Sequence, residues 1–293
     1  MGNPSEVYDF AKLLADLDDI DRWLTGMGFA SVDRIRKYQR NIRSMIAAHE
    51  SGRVADLQES MPFDQAREIL WSYIESDEFA WAVLALRKYY DAELKDVLKR
   101  ALKGPTDLFL ETAKTKQARD RFFELVMAGR LAVAGYQPHF DRGADVSFDF
   151  ATMRIDLECK RPLTESGIED AIEKGIKQLG RATGEMGFIA VSLSRMIVPG
   201  DPEAIATVPI GGALAYLEQR FSQIIEPAKR FWESRPSSRL GGVWFYAFVP
   251  VRVSPGPPFY VPTRLETIVS TARGALRDIQ QLLLTALNRG EKA

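Results

Sequence analysis

The spacing of apolar residues changes character near residue 105. From residue 7 to about 103, apolar side chains recur every three or four positions, which is the spacing of one face of an α-helix. The sequence Lys103-Gly104-Pro105 ends this pattern, because glycine commonly closes a helix and proline cannot continue one. The pattern therefore predicts an all-helical N-terminal domain over residues 1–110.

The second predicted domain, residues 111–293, mixes helical spacing with the alternation of strands. Residues 144–150 and 154–160 each alternate polar and apolar side chains across a short connection, which is typical of a β-hairpin. A helix over 115–134 and a short strand within 136–140 are predicted before this hairpin. The elements predicted after it are a helix over 166–182, a strand over 187–193, a helix over 213–232, a strand over 243–251 and a last helix over 264–288. The predicted fold class is α/β with a mixed α+β sheet, extended by a C-terminal strand and helix.

Composition and charge bound the functions that this fold can carry. The chain has 293 residues, of which 46% are hydrophobic and 27% charged, so it is globular and long enough for roughly two domains. A net charge of -1 gives no global attraction to nucleic acid, and any such contact must come from a local site. The longest uncharged apolar run, Leu240 to Val251, is shorter than the roughly 20 residues of a membrane-spanning helix. We expect a cytoplasmic protein without membrane association.

The reactive residue types exclude several chemistries. One cysteine, Cys159, cannot form an internal disulfide, and with only two histidines it cannot complete a structural zinc site. The chain also lacks the Gly-x-Ser-x-Gly turn of acyl hydrolases and the Gly-x-Gly-x-x-Gly turn of dinucleotide-binding proteins. Acyl transfer and nucleotide-cofactor chemistry are therefore disfavoured.

The hairpin brings two carboxylates face to face. With Ala151 and Thr152 as its loop, Asp145 lies opposite Glu158, and directly opposed side chains have Cβ atoms about 4.5–5.5 Å apart. Lys160 is expected on the same acidic face, while the opposite face, which includes Cys159, is expected to be the core. Two opposed carboxylates repel unless a cation neutralises them, and a site made only of oxygen ligands suits Mg²⁺ or Mn²⁺.

This arrangement resembles a known superfamily. Asp145, then twelve residues, then Glu158-Cys159-Lys160 on an apolar hairpin, followed by a helix and a strand, is similar to the PD-(D/E)XK nucleases. The resemblance covers residues 115–194 and implies a restriction-endonuclease-like αβββαβ core. The chain departs from the superfamily pattern at Ala144, where a proline commonly stands.

The resemblance implies roles for individual residues. Asp145 and Glu158 would hold Mg²⁺ or Mn²⁺ together with the backbone carbonyl of Cys159, and Lys160 would orient or deprotonate the attacking water. Glu124, on the preceding helix, would join this site; alternatively it is an exposed helix charge paired with Arg121 or Arg130. The following helix would contribute a polar stripe in which Gln178 lines the site and Lys174 and Arg181 contact nucleic acid, although ordinary surface polarity explains Gln178 equally well.

Nucleic acid, DNA rather than RNA, is the predicted partner. Arg36, Arg40 and Arg43 fall on one helical stripe that would contact phosphates. A second basic group lies between Arg87 and Lys103, and each group is alternatively a solvated helix face. A different class of function also fits the pattern: a non-catalytic nucleic-acid-binding or assembly module that keeps the nuclease-like fold. In that case the helical domain binds a protein partner or a second copy of the chain.

Overall fold

The N-terminal part of the chain folds into packed helices, as the periodicity predicts. A computed structural model describes residues 10–30, 32–51, 62–106, 110–112, 114–140, 143–198, 205–209, 211–233, 239–249, 251–254 and 263–269. The helices of this part are α1 (Phe10–Gly26), α2 (Asp33–Glu50), α3 (Phe63–Leu86), a 3-10 turn (Arg87–Tyr89), α4 (Ala92–Ala101) and α5 (Lys116–Val133).

Local chemistry explains where two of these helices begin and end. Asp91 precedes α4, and its side chain accepts a hydrogen bond of 2.7 Å from the backbone N–H of Leu94, which caps the helix. The C-terminal end of α1 is followed by Gly28, whose φ of 77° lies in the left-handed region that favours glycine.

The rest of the described chain forms a mixed six-stranded sheet flanked by helices. Its strands, in spatial order, are β1 (Pro138–His139), β2 (Val146–Phe150), β3 (Met153–Lys160), β4 (Met186–Ser192), β6 (Leu240–Phe248) and β8 (Thr263–Val269). β3, β4 and β6 are parallel, and the other neighbours in the sheet are antiparallel. The remaining elements are α6 (Gly167–Leu179), the short α7 (Ser194–Ile197), α8 (Ala213–Glu233) and a separate parallel pair of β5 (Thr207–Pro209) and β7 (Arg252–Ser254). The predicted α/β class with a mixed sheet is confirmed.

The hairpin of β2 and β3 has the predicted register. Ser147 pairs with Asp156, and Asp149 pairs with Arg154. The two-residue loop begins at Ala151, whose φ of 54° is the left-handed conformation that tight hairpin turns require. The alternation of the two strands therefore fixes their pairing although the loop contains no glycine.

Helices cover both faces of the sheet. α5 lies on one face, where the ring of Phe123 is 5.8 Å from that of Tyr246. α6 lies on the other, and it approaches so closely that a Cβ on Gly175 would meet the Ile189 side chain at 2.9 Å. Ile189 pairs with Glu158, so α6 covers the face that carries the acidic residues. The expectation that only the opposite face is core is therefore wrong, because Glu158 is only 2% exposed.

One apolar cluster runs through the helical part and the sheet without a break. α5 contributes to both sides of it: Phe123 packs toward the sheet, while Gly129 packs on α3, where a Cβ would meet Ala82 Cα at 2.7 Å. The division into domains at residues 110 and 111 stays a prediction.

The predicted last helix over 264–288 is wrong in its first turns. Residues 263–269 form β8, which pairs with β6 and satisfies backbone groups that would otherwise be exposed at an edge strand. The remainder of that prediction, residues 270–288, lies outside the described residues. Within the described ranges, no helix combines the length and the apolar character needed to cross a bilayer.

Candidate active site

Three oxygen atoms converge on the ammonium group of Lys160. Lys160 Nζ lies 2.6 Å from Glu158 Oε2, 3.2 Å from Asp145 Oδ2 and 3.3 Å from the backbone oxygen of Cys159. The hairpin thus brings together the four residues that the sequence singles out, which are Asp145, Glu158, Cys159 and Lys160. A positive charge occupies the point on which their oxygens converge.

Backbone pairing fixes Asp145 in this arrangement. Asp145 directly precedes β2, and its Oδ2 accepts a 2.8 Å hydrogen bond from the backbone N–H of Cys159. The side chain thereby continues the hairpin beyond its last backbone pair, Val146 with Leu157. The side chain of Asp145 is 22% exposed and that of Glu158 only 3%, so solvent reaches the cluster from the Asp145 side.

The surroundings of the cluster shift the protonation of its members. Burial, and after it the negative charge of Asp145, raise the pKa of Glu158 to about 7 against the opposing effect of Lys160. Burial alone would lower the pKa of Lys160, but the two carboxylates outweigh it, so the pKa of Lys160 is raised. Lys160 is therefore held in its charged form, while Glu158 exchanges a proton near neutral pH.

Glu124 of α5 is buried beside this cluster. The side chain of Glu124 accepts a 2.5 Å hydrogen bond from Arg121, one of the two partners expected if Glu124 is an ordinary helix charge. The Glu124 side chain is only 4% exposed, however, so it is not a solvated charge on the helix surface. Burial raises the pKa of Glu124 to about 8, and the negative charge of Asp145 is the next largest cause. Glu124 is thus within electrostatic reach of Asp145. Its membership of the site stays a prediction.

The polar stripe predicted on the following helix is not in contact with the carboxylates. Lys174 and Gln178 are exposed on α6, and Arg181 is exposed just after it. Within the described residues, none of the three makes a hydrogen bond or ion pair with Asp145 or Glu158. Their roles stay predictions.

The site offers a donor set that suits a hydrated divalent cation. Among the described residues, no group of three or more His, Cys, Asp and Glu side chains is assembled as a metal cage. Mg²⁺, however, keeps several water ligands and is commonly bound through one or two carboxylates. The oxygens of Asp145, Glu158 and Cys159 fit such an ion, because they already surround one positive charge. The Cys159 thiol is not part of this set, since burial raises its pKa well above the ordinary value.

Two arginines that the sequence analysis does not single out lie at the same edge of the sheet. Arg161 directly follows β3 and is 3.0 Å from Glu111 and 3.4 Å from Asp120. Arg195 lies in α7, the short helix after β4, and is 3.5 Å from the same Glu111. The carboxyl ends of neighbouring parallel strands meet at one edge, where α/β proteins commonly bind ligands. Both residues follow parallel strands, and this position is the feature by which the sequence could have identified them.

The basic stripe predicted on α2 is exposed, but part of its charge is offset. Arg36 is 3.9 Å from Asp33, and Arg43 is 3.2 Å from Asp18. Arg40 is also exposed on this helix. The contact of the stripe with nucleic acid stays a prediction.

Comparison of the chain with protein-family models, with curated proteins and with solved structures finds no match in any of the three. The resemblance to the PD-(D/E)XK nucleases therefore depends on the residues and geometry of this chain alone.

Proposed function

We propose that the protein is a Mg²⁺- or Mn²⁺-dependent nuclease of the PD-(D/E)XK type that hydrolyses phosphodiester bonds in DNA. The observation that carries this proposal is the convergence of Asp145, Glu158 and the Cys159 carbonyl on one cation, the ammonium group of Lys160. The order of a helix, three antiparallel strands, a helix and a parallel strand from α5 to β4 supports the restriction-endonuclease-like core.

The residues of the site divide the work by their chemistry. Asp145 and Glu158 would hold the divalent cation, which would supply Lewis-acid polarisation of the scissile phosphate. Lys160 donates hydrogen bonds from a charged ammonium, which orients the attacking water and offsets negative charge developing on the phosphate. Glu124, with its raised pKa, is suited to hold or release a proton at the margin of the site near neutral pH. Arg161 and Arg195 lie at the same edge, where Glu111 and Asp120 offset their positive charge.

Loss of either carboxylate tests this proposal. Asp145→Asn and Glu158→Gln should each abolish cleavage of plasmid and single-stranded DNA and weaken Mn²⁺ binding in calorimetric titrations. Asp149→Asn is the matched control, because Asp149 is an exposed carboxylate of the same hairpin. Wild-type protein that binds no divalent cation and cleaves no substrate would contradict the proposal.

One observation favours a second candidate, the non-catalytic binding or assembly module. Lys160 itself neutralises the Asp145 and Glu158 pair, so the pair can persist without a metal. The variant Lys160→Ala separates the two functions. A nuclease should lose at least ~100-fold in the rate of single-turnover cleavage while it keeps most of its metal and DNA affinity. A binding module should show no cleavage before or after the substitution.

A further inference from the structure

The helical part of the molecule contains an electropositive cleft away from the hairpin. It lies between the start of α2 and the end of α4, and its volume is about 570 Å³. Arg34 and Lys37 line it from α2, and Lys99 and Lys103 line it from α4 and the turn that follows. The two basic segments that are distant in the sequence therefore meet across a single space.

The cations of the cleft outnumber its acids. Asp33 is the one acidic residue among those that line it in the described structure. Lys37 is 2.9 Å from Glu68, so part of its charge is offset. The side chains of Lys99 and Lys103 are exposed and, among the described residues, make no ion pair or hydrogen bond. An anion that entered the cleft would meet two ammonium groups without displacing a protein partner.

The floor of the cleft adds a fixed positive charge. Arg34 and Arg119 share one carboxylate, that of Glu75, so this buried group carries an excess of one positive charge. Arg34 also donates to the carbonyl oxygens of Ala101 and Gly104 at 2.8 and 3.4 Å. These bonds fix the end of α4 and the turn beyond it, which form one wall of the cleft.

An unsatisfied hydroxyl lies in the same wall. Thr106 lines the cleft and is 3% exposed, and its Oγ1 is buried and has no hydrogen-bond partner among the described residues. Buried hydroxyls are nearly always hydrogen-bonded, because an unpaired one destabilises the folded protein. A ligand oxygen in the cleft would supply the missing partner.

We propose that this cleft binds the phosphate group of a nucleotide, either free or at the end of a nucleic-acid strand. Ammonium groups and a hydroxyl are common donors to phosphate oxygens. The volume lies within the roughly 300–1,000 Å³ of small-molecule sites, which exceeds what a phosphate ion alone would fill. Phe29, Leu102 and Pro105 give the cleft an apolar side against which a sugar and base can pack. The inference does not rest on the proposed nuclease activity.

Titrations in EDTA at low salt test the site without cleavage. The probes are a nucleoside 5′-monophosphate, a short single-stranded oligonucleotide with a 5′-phosphate, and inorganic phosphate. Lys99→Gln/Lys103→Gln should weaken binding of the monophosphate by at least ~10-fold, since each lost charged contact accounts for much of a tenfold change. Lys88→Gln/Lys229→Gln is the control, because it removes the same net charge from residues outside the cleft and should change binding by less than about twofold.

The substitution Thr106→Val separates binding from folding. It removes the unpaired hydroxyl while conserving shape, so the melting temperature should stay unchanged or rise while affinity for the monophosphate falls several-fold. Preference for the oligonucleotide over the monophosphate would assign the cleft to strand ends, and the reverse preference would assign it to free nucleotides.

Three results would overturn the inference. They are no binding of any probe by the wild-type protein, equal weakening by the two double lysine variants, and equal affinity for inorganic phosphate and the monophosphate. Each of these measurements is made without metal, so a failure here is distinct from a failure of the nuclease proposal.

Discussion

Two ion clusters among the described residues have opposite stoichiometry. At the hairpin, one ammonium, that of Lys160, lies between two carboxylates. In the helical part, one carboxylate, that of Glu75, lies between two guanidinium groups. The side chains of the Glu75 cluster are at most 4% exposed, whereas Asp145 of the hairpin cluster is 22% exposed.

This difference in solvent exposure distinguishes a cluster with a structural role from one that can take part in chemistry. An enclosed cluster cannot exchange partners with a ligand, so the Glu75 cluster ties α2, α3 and α5 together and acts elsewhere only through its charge. An open cluster with excess negative charge can accept a cation from solvent. The hairpin cluster is therefore the one in which a chemical function is expected.

The largest effect is expected at Glu75. Glu75→Gln leaves two buried guanidinium groups without a compensating charge, so the free energy of unfolding should fall by about 3–5 kcal/mol. Urea denaturation measures the loss, and Glu68→Gln is the control because its partly exposed pair with Lys37 should contribute at most about 1 kcal/mol. Equal midpoints for the two variants would show that the enclosed cluster is not a structural tie.

The second prediction concerns pH. Burial raises the pKa of Glu124 from 4.5 to about 8, so between these values the folded protein binds this proton more tightly than the unfolded chain does. The free energy of unfolding should therefore fall by roughly 2–4 kcal/mol as pH rises from about 5 to 8.5. Glu158, whose pKa is also raised, contributes in the same direction.

Denaturation at both pH values tests this dependence. Glu124→Gln should reduce it measurably, whereas Glu93→Gln, which changes an exposed glutamate of α4, should leave it unchanged. A wild-type protein that gains stability as pH rises through this range would refute the assigned protonation.

The third prediction breaks the hairpin cluster. Lys160→Ala leaves two facing carboxylates without their cation, so in EDTA the free energy of unfolding should fall by about 2–3 kcal/mol. Excess Mg²⁺ should restore part of this loss, because the ion replaces the missing charge. The double variant Glu158→Gln/Lys160→Ala should be more stable in EDTA than Lys160→Ala. Lower stability of the double variant would mean that repulsion does not govern this site.

The smallest effect on stability is expected on α2. Replacing Arg36, Arg40 and Arg43 with Gln should change the free energy of unfolding by less than about 0.5 kcal/mol each, because all three are exposed. If they contact phosphates, the slope of log affinity against log salt should fall by up to ~3. An unchanged slope would mean that these arginines do not contact phosphates. The helical part would then bind nucleotides through the cleft or bind a protein partner.

Local alternation predicted the part of the site that lies within one hairpin. The polar and apolar pattern of residues 144–160 fixes the register, and the register places Asp145 near Glu158. The contact of Lys160 with both carboxylates was not predictable, because its long flexible side chain bends back toward Glu158. The Arg34 and Glu75 pair spans 41 residues, and no local pattern reports such a contact.

The missed strand β8 shows the limit of periodicity. Leu265, Ile268 and Val269 fit a helical face, while Thr267 and its β-branched neighbours fit a strand equally well. These residues form a strand because β6 needs a hydrogen-bonding neighbour on the side away from β4. Such a requirement belongs to the sheet and is not visible in residues 263–269 themselves.

The position of α5 between the helical part and the sheet has a consequence for how the molecule comes apart. The backbone of Gly129 lies against Ala82 on one side, and Phe123 lies against Tyr246 on the other. Separating the helical part from the sheet would therefore expose both sides of α5 to water at the same time. We expect the amide protons of α3, α5 and β6 to exchange with solvent through one shared opening event, so that both layers unfold as a single cooperative unit.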